Sequence, residues 1–224
     1  KKFLKVTGIE VVQYYINDKF EPVDIKHTES HALLLVNYFG IIKQEKMESM
    51  ASGYRNVIID NSAAFYSRPL EGCYNVYSPR KFFGVPDGCY VIGDNAEAGS
   101  LDYKQDFSSS TSSFLLKRIE YGTNASYNDR MLNEQRIDNS GILRMSELTK
   151  TLLNCIDYRF VSARRRQNFL TAHRLFHKIN MTDPGALMDE GCVPMVYPLV
   201  IEDDRLDEKL RNNQIYTGRW WNQV

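Results

Sequence analysis

The chain has 224 residues, in which 28 basic side chains balance 28 acidic ones. This balance gives no electrostatic footprint for nucleic acid or for an anionic membrane surface. No apolar run approaches the roughly 18–20 residues of a membrane-spanning helix, and no signal peptide is recognisable. The four cysteines have no metal-binding spacing, which favours a reduced, cytoplasmic protein.

Five strands and one helix are predicted in the first hundred residues. The strands are residues 8–17, 31–40, 56–62, 72–78 and 88–94, and the helix is residues 43–52. The run 31–40 is almost continuously apolar, which is typical of a parallel strand covered on both faces. The turn signal GVPDG at 84–88 predicts a fifth strand antiparallel to the fourth. We therefore expect the later half of an α/β sheet, mostly parallel, with one antiparallel strand.

The rest of the chain predicts a smaller second unit. A serine-rich run covers residues 106–114, and the polar stretch 123–141 is expected to be a long loop. Apolar residues at helical spacing predict one long helix over residues 145–179. A strand at 193–201, a charged helix at 203–214 and a strand at 215–221 follow. We expect a partial α/β domain (1–145) packed against an incomplete α+β domain (146–224), with residues missing at both ends.

Asp60 and Lys81 stand at the ends of two successive predicted strands. Open α/β sheets bind ligands at the carboxyl ends of their strands, so these two side chains can face one pocket. Pyridoxal 5'-phosphate needs this pair, because a lysine Schiff base holds it and an acidic partner meets its pyridine nitrogen. The carboxylate keeps that nitrogen protonated, and the lysine is the natural base for the substrate Cα proton. Ser78, three residues before Lys81, is a candidate donor to the phosphate.

Two segments carry a family resemblance, namely IIDNSAAFYS (58–67) and CYNVYSPRKFFGVPDG (73–88). They resemble fold-type-I pyridoxal-phosphate enzymes and are most similar to an outlying branch of the DegT/DnrJ/StrS sugar-nucleotide aminotransferases. The family's Asp-x-Ala-Gln/His-Ala box matches residues 60–64, and its lysine strand matches the segment ending at Lys81. VNYFG (36–40) resembles its Val-His-x-Tyr-Gly, which puts Asn37 near the ring hydroxyl.

The resemblance continues into the second half of the chain. RMSELTKTLLNCIDY (144–158) resembles the family's Met-x-Glu-Leu helix, and RRRQNF (164–169) resembles the arginine-pair helix that follows it. The match therefore spans nearly all of the sequence, and it implies a fold-type-I large domain followed by a smaller domain.

Three departures from the family pattern concern the cofactor. The Gln or His that contacts it is Ala63 here. The family's phosphate-binding serine lies five residues before the lysine, where this chain has Val76, whereas Ser78 has the Ser-x-x-Lys spacing of the aspartate aminotransferase branch. The family's N-terminal segment, which supplies amides to the phosphate and a ring-stacking side chain, lies outside this sequence.

The resemblance implies an aminotransferase that moves an amino group, with glutamate as the expected donor, to a nucleotide-linked keto-sugar in polysaccharide or lipopolysaccharide synthesis. It implies that Lys81 carries the cofactor and that Asp60 holds the pyridinium, with Ser78 and Asn37 as further contacts. It also implies a homodimer in which the stretch 123–141 reaches the partner subunit. Two alternatives stay open. One is a non-catalytic binding or regulatory protein on this fold, and the other is a sugar dehydratase, although the dehydratases replace the lysine with histidine.

Other conspicuous residues have simpler structural interpretations. His173 and His177 have the i,i+4 spacing of metal ligands, but no glutamate follows His173, so an ordinary helix face is favoured. The arginine run 164–166 is expected to be a solvated helix face, with an anionic substrate or a partner subunit as the alternative. Aromatic packing is expected for 220–221. Three further residues lie near the proposed site in sequence: Tyr66, Tyr77 and Arg80.

Overall fold

The computed structural model describes residues 8–26, 28–100 and 102–220. Its strands are β1 (Tyr15–Ile16), β2 (Pro22–Val23), β3 (Leu33–Val36), β4 (Val57–Asp60), β5 (Tyr74–Tyr77) and β6 (Tyr90–Ile92). Its helices are α1 (Gln44–Ala51), α2 (Ala96–Ser100), α3 (Ser113–Ala125), α4 (Tyr127–Ser140), α5 (Glu147–Asn154), α6 (Tyr158–Phe176) and α7 (Leu206–Asn212). None of these helices is long and apolar enough to cross a bilayer.

A four-stranded sheet in the order β3-β4-β5-β6 forms the framework of the site. β3 pairs in parallel with β4, and β4 in parallel with β5, whereas β6 runs antiparallel to β5. The predicted mixed α/β sheet and its antiparallel last strand are therefore confirmed. A separate two-stranded antiparallel sheet joins β1 and β2.

The sheet buries one face among the described residues. Alternate side chains such as Leu33, Leu35 and Ile59 are 5%, 2% and 0% exposed, and α1 packs against them through Met47. Leu34, on the opposite face, is 49% exposed. Since successive side chains of a strand point to opposite faces, the prediction that β3 is covered on both faces is wrong within the described structure.

The first predicted strand is largely absent. Of residues 8–17 only Tyr15–Ile16 is a strand, and Tyr15 is 79% exposed. A run of β-branched and aromatic residues forms a stable strand only where its side chains find packing partners, and this run has few. Its hairpin is set instead by the side chain of Asn17, which accepts hydrogen bonds from the main-chain N–H groups of Lys19 and Glu21.

The stretch 123–141, predicted as a loop, is mostly helical. Helix α3 continues to Ala125, with a break in its dihedral angles at Gly122 (φ 83°), and α4 covers Tyr127–Ser140. A buried amide anchors α4. Asn133 is 0% exposed and donates to the main-chain oxygen of Pro86 over 2.7 Å. Polar contacts, and not an apolar stripe, attach α4 to the rest of the protein. A search for an apolar stripe in the sequence therefore does not detect this helix.

The single long helix predicted over 145–179 is two helices, α5 and α6. Residues 155–157 separate them, and each begins at a side-chain cap. Ser146 accepts from the N–H of Thr149, and Asp157 accepts from the N–H of Phe160 over 2.9 Å. Ser and Asp are favoured caps because their oxygens satisfy N–H groups that the first helical turn leaves unpaired.

The prediction of two strands near the C-terminus is wrong for the described residues. Residues 193–201 and the described residues 215–220 have no strand pairing, so the described part of 146–224 contains helices but not the expected sheet. The first segment is held by isolated main-chain contacts, such as the 2.7 Å hydrogen bond from the N–H of Met195 to the oxygen of Phe39. The predicted charged helix is present, shortened to α7. The division at residue 145 stays a prediction.

Candidate functional site

The candidate site lies at the carboxyl edge of the sheet. β3, β4 and β5 end at Val36, Asp60 and Tyr77, and main-chain hydrogen bonds continue the alignment by one residue. The N–H of Asn37 donates to the oxygen of Asp60 over 3.0 Å, and the N–H of Asn61 donates to the oxygen of Val76 over 2.8 Å. The residues that follow these strands are therefore gathered at one edge, where α/β sheets bind ligands.

Asp60 is half-buried, and its carboxylate is only partly used. Oδ1 accepts a hydrogen bond from the main-chain N–H of Ser62 over 2.8 Å, and no other described group donates to this carboxylate. Burial, and secondarily the negative charge of Asp60, raises the pKa of the Tyr38 hydroxyl. One oxygen of Asp60 is thus available to a cationic or hydrogen-bonding ligand beside Tyr38.

Lys81 ends the 3₁₀ turn Pro79–Lys81 that follows β5. Pro79 stands at the start of this turn, where its fixed φ angle and missing N–H are favourable. The lysine is exposed, and Nζ donates to the hydroxyl of Ser62 over 2.9 Å. The same nitrogen lies 5.7 Å from the centre of the Trp220 ring, a distance suited to a cation–π contact. Lys81 is therefore held near the strand edge while its amine stays accessible.

Ser62 is the residue that sequence reasoning missed. Its main-chain N–H bonds to Asp60, and its hydroxyl bonds to Lys81, so one residue joins the two predicted site residues. A sequence signal for the first contact exists, because Asp side chains commonly accept from the N–H two residues ahead. Nothing in the sequence indicated the second contact, which spans 19 residues.

Asn37 donates its main-chain N–H to Asp60, but its side chain has other partners. Its side chain is 1% exposed, and Nδ2 donates to Oδ1 of Asn61 over 2.9 Å and to the hydroxyl of Ser67 over 3.0 Å. By the alternation of β3 it lies on the face of Leu33 and Leu35, whereas Asp60 lies on the opposite face. Its contact with a cofactor ring stays a prediction.

Ser78 precedes the lysine turn and is half-buried. It occupies the N-cap position of the 3₁₀ turn, yet its hydroxyl makes no capping hydrogen bond. The hydroxyl is therefore not committed to the turn, and Ser78 stays a candidate for an anionic ligand. Ala63, at the position of the family's Gln or His, is 6% exposed and cannot supply a polar contact.

The arginine run 164–166 is not a uniformly solvated face. Arg165 is half-buried, and it donates from Nη1 to the oxygen of Met195 over 3.0 Å and from Nη2 to the oxygen of Phe82 over 2.9 Å. Its guanidinium lies 4.5 Å from the Phe82 ring centre, and burial lowers its pKa. Arg166 donates to the oxygen of Asp189 over 3.0 Å. The prediction of a solvated side chain fits Arg164, which is exposed.

An aromatic cluster lies under the lysine turn. The ring of Phe65 is 4.9 Å from that of Phe83 and 5.8 Å from that of Phe82, and Tyr158 stacks on Phe65 at 6.2 Å. Two residues noted from the sequence are engaged nearby. The Tyr66 hydroxyl donates to the oxygen of Tyr158 over 3.3 Å. The Arg80 guanidinium forms an ion pair with a carboxylate of α4, that of Glu134.

Tyr77 is also committed to the protein interior. It is 4% exposed, and its hydroxyl donates to the oxygen of Ser67 over 3.1 Å. Burial raises the pKa of Tyr77 to about 12. The side chain is thus neutral at physiological pH and packs in the protein interior at the end of β5.

His173 and His177 lie on α6 with ring centres 5.5 Å apart. Nδ1 of His173 is 3.4 Å from the Tyr197 hydroxyl, and its ring stacks on Phe169. Within residues 8–26, 28–100 and 102–220, no group of three or more His, Cys, Asp and Glu side chains is placed to hold a metal ion.

A groove of about 780 Å³ lies elsewhere, between α1 and the loop 68–73. Its lining includes Glu48, Arg68 and Glu71, and none of the four predicted site residues. Its size alone does not make it the site of chemistry. The thiol of Cys73 lines it, but burial raises the pKa of that thiol and so disfavours the nucleophilic thiolate. The carboxyl edge, where Asp60 and Lys81 converge, has the better-defined constellation.

Comparison of the chain with protein-family models, with curated proteins and with solved structures finds no match.

Proposed function

We propose that the chain is a pyridoxal-phosphate-dependent aminotransferase of the fold-type-I class. The observation that carries the proposal is the convergence of Asp60 and Lys81 on Ser62 at the carboxyl ends of neighbouring parallel strands. A carboxylate and an accessible amine on one sheet edge are the two side chains that hold this cofactor.

The residues present fit the group. Asp60 has a carboxylate oxygen without a donor among the described residues, and Lys81 has an exposed amine. When bound, the cofactor supplies an electron-withdrawing ring that stabilises negative charge at the substrate Cα. Asp60 would hold a proton on the ring nitrogen, because an adjacent negative charge favours the protonated form.

Lys81 would attach the cofactor covalently and move the substrate proton. When not bonded to the cofactor, its amine would serve as the general base for the substrate Cα proton. The hydroxyl of Ser78, which caps nothing, is positioned one turn before Lys81 and would bind the phosphate. Asn37 is the weakest of the proposed cofactor contacts, because its side chain is buried on the face of the sheet opposite to that of Asp60.

The substrates are proposed from the family resemblance alone. They are an amino-acid donor, glutamate, and a nucleotide-linked keto-sugar, in a cytoplasmic step of polysaccharide synthesis. A homodimer is proposed on the same ground. Since α4 is a helix and not a loop, a helix face of 127–140 would meet the partner subunit.

A second candidate is a non-catalytic binding protein that keeps the fold. The observation that favours it is Ala63, a buried apolar side chain where the family places a polar contact to the cofactor. In this case Lys81 would be an ordinary surface lysine, held by Ser62 and Trp220, and the protein would not take up the cofactor.

An absorbance spectrum with added pyridoxal phosphate, before and after borohydride reduction, separates the two candidates. The enzyme proposal expects a visible band that reduction fixes to the peptide containing Lys81. Lys81→Ala should abolish the band, whereas Lys178→Ala, at an exposed lysine of the 177–180 segment, should retain it. Absence of a band in the wild-type protein, or label spread over other lysines, would favour the binding protein.

A further inference from the structure

Ser62 stands between the two side chains on which the proposed function depends. Its main-chain N–H is 2.8 Å from Oδ1 of Asp60, and its hydroxyl oxygen is 2.9 Å from Nζ of Lys81. The first contact needs only the backbone and is available to any residue other than proline. The second needs a hydroxyl. The side chain of Ser62 therefore acts on Lys81 alone, while its backbone acts on Asp60.

Only one direction is possible for the second hydrogen bond, between Lys81 and the hydroxyl of Ser62. The lysine ammonium can only donate, so the hydroxyl of Ser62 accepts from it. The hydroxyl hydrogen of Ser62 then remains, and it has no acceptor within the described parts of the chain. Since Lys81 has a flexible four-carbon stem and an exposed side chain, a single fixed acceptor restricts where its amine can lie.

We propose that Ser62 is a positioning residue, which holds the amine of Lys81 at a fixed distance from the carboxylate of Asp60. The inference deepens the proposed function and rests on it for its catalytic consequence, but the hydrogen bond itself exists without any cofactor. Because the constraint is on geometry, its loss should slow covalent attachment at Lys81 more than it weakens the fold.

The first test measures the hydrogen bond in the protein without added cofactor. Side-chain nitrogen NMR of lysine-labelled protein gives the exchange rate of the Lys81 ammonium hydrogens with water, and Lys81→Arg assigns the signal. Ser62→Ala should accelerate this exchange by about threefold or more, because it removes the hydroxyl that accepts from Lys81 in the described structure. Ser62→Thr keeps the hydroxyl and should restore a rate near that of the wild type.

A control variant separates positioning from general destabilisation. Ser49→Ala removes a serine hydroxyl on the exposed side of α1 and should leave the Lys81 signal unchanged. Ser62→Ala keeps the backbone bond to Asp60, so its thermal unfolding should match that of Ser49→Ala. Equal exchange rates in wild type and Ser62→Ala would overturn the proposal.

The second test measures the rate at which pyridoxal phosphate with borohydride labels Lys81. Ser62→Ala should label more slowly than the wild type, and Ser62→Thr should recover the rate. If the wild type does not label while its Lys81 signal still depends on Ser62, the proposed function fails and the positioning role stands. If the wild type labels and Ser62→Ala behaves identically in both tests, the function stands and the positioning role fails.

Discussion

Arg165 donates a hydrogen bond from Nη2 to the main-chain oxygen of Phe82, 2.9 Å away, and Phe82 directly follows Lys81 in the chain. The same guanidinium donates to the oxygen of Met195 over 3.0 Å. One side chain of α6 therefore ties the end of the lysine turn to the segment after residue 192. The planar, forked guanidinium suits this task because its donors point in fixed directions.

Replacing Arg165 by Met should destabilise the protein by about 2–3 kcal/mol, since two carbonyl oxygens lose a charged donor in a half-buried setting. Urea denaturation followed by tryptophan fluorescence measures the change. Arg165→Lys should recover only part of the loss, because an ammonium does not reproduce the two directions of the fork.

Arg164→Met is the matched control on the same helix. Arg164 is exposed, and its guanidinium carbon lies 5.7 Å from the centre of the Phe160 ring. Its replacement should change the stability by no more than about 0.5 kcal/mol. Equal effects of the two substitutions would show that Arg165 is not a structural tie.

Asp87, outside the candidate site, is a buried carboxylate with a shifted pKa. It is 3% exposed, and Ser146 donates to it twice, from the main-chain N–H over 2.9 Å and from the hydroxyl over 2.6 Å. Burial by itself would raise the pKa of Asp87, but hydrogen bonds, first of all from Ser146 and Ser108, outweigh it and hold the pKa below its usual range.

A lowered pKa in the folded state means that the unfolded state binds the proton more tightly. The contribution of Asp87 is therefore complete above the unfolded pKa of about 4 and is lost as the pH falls through the folded value. Asp87→Asn should cost about 1–3 kcal/mol at neutral pH, because the amide cannot accept both hydrogen bonds from Ser146. The difference in the free energy of unfolding between the variant and the wild type should become smaller in acid.

Urea denaturation at a series of pH values tests this dependence. Asp138→Asn, at an exposed position of α4, is the control and should change the stability by no more than about 0.5 kcal/mol. A stability gap for Asp87→Asn that stays constant down to acid pH would contradict the assignment.

The sheet was predictable because its strands carry strong local signals. The apolar runs around Leu35 and Ile59 and the turn before Tyr90 specify strands, and the carboxyl-edge rule then places Asp60 and Lys81 together. Ser62 was not predictable as the link between them, since its contact with Lys81 depends on the path of a turn 19 residues away.

The failures have a common physical origin. Helix α4 lacks an apolar stripe and is attached by buried polar contacts, such as that of Asn133, which a periodicity argument does not detect. Residues 193–201 have the composition of a strand but find no strand to pair with in the described structure. In α4 and in residues 193–201, tertiary contacts and not the local sequence propensity determine the structure.

Gly40 allows residues 193–195 to approach the carboxyl edge of the sheet closely. Its φ angle is 69°, and a Cβ placed on it would lie 2.7 Å from the main-chain oxygen of Val193. The neighbouring hydrogen bond from the N–H of Met195 to the oxygen of Phe39 fixes this approach at 2.7 Å. A side chain at residue 40 therefore meets both an unfavourable backbone conformation and a backbone atom that cannot move aside easily.

Gly40→Ala should destabilise the protein by more than about 2 kcal/mol, combining left-handed strain with this contact. Gly53→Ala is the matched control, because a Cβ there meets nothing within 4 Å and its φ is not positive. The control should be neutral or stabilising by about 0.4–1 kcal/mol, through the lower entropy of the unfolded chain. Denaturation midpoints measure both variants, and a Gly40→Ala protein as stable as Gly53→Ala would mean that residues 193–195 do not pack against the sheet edge.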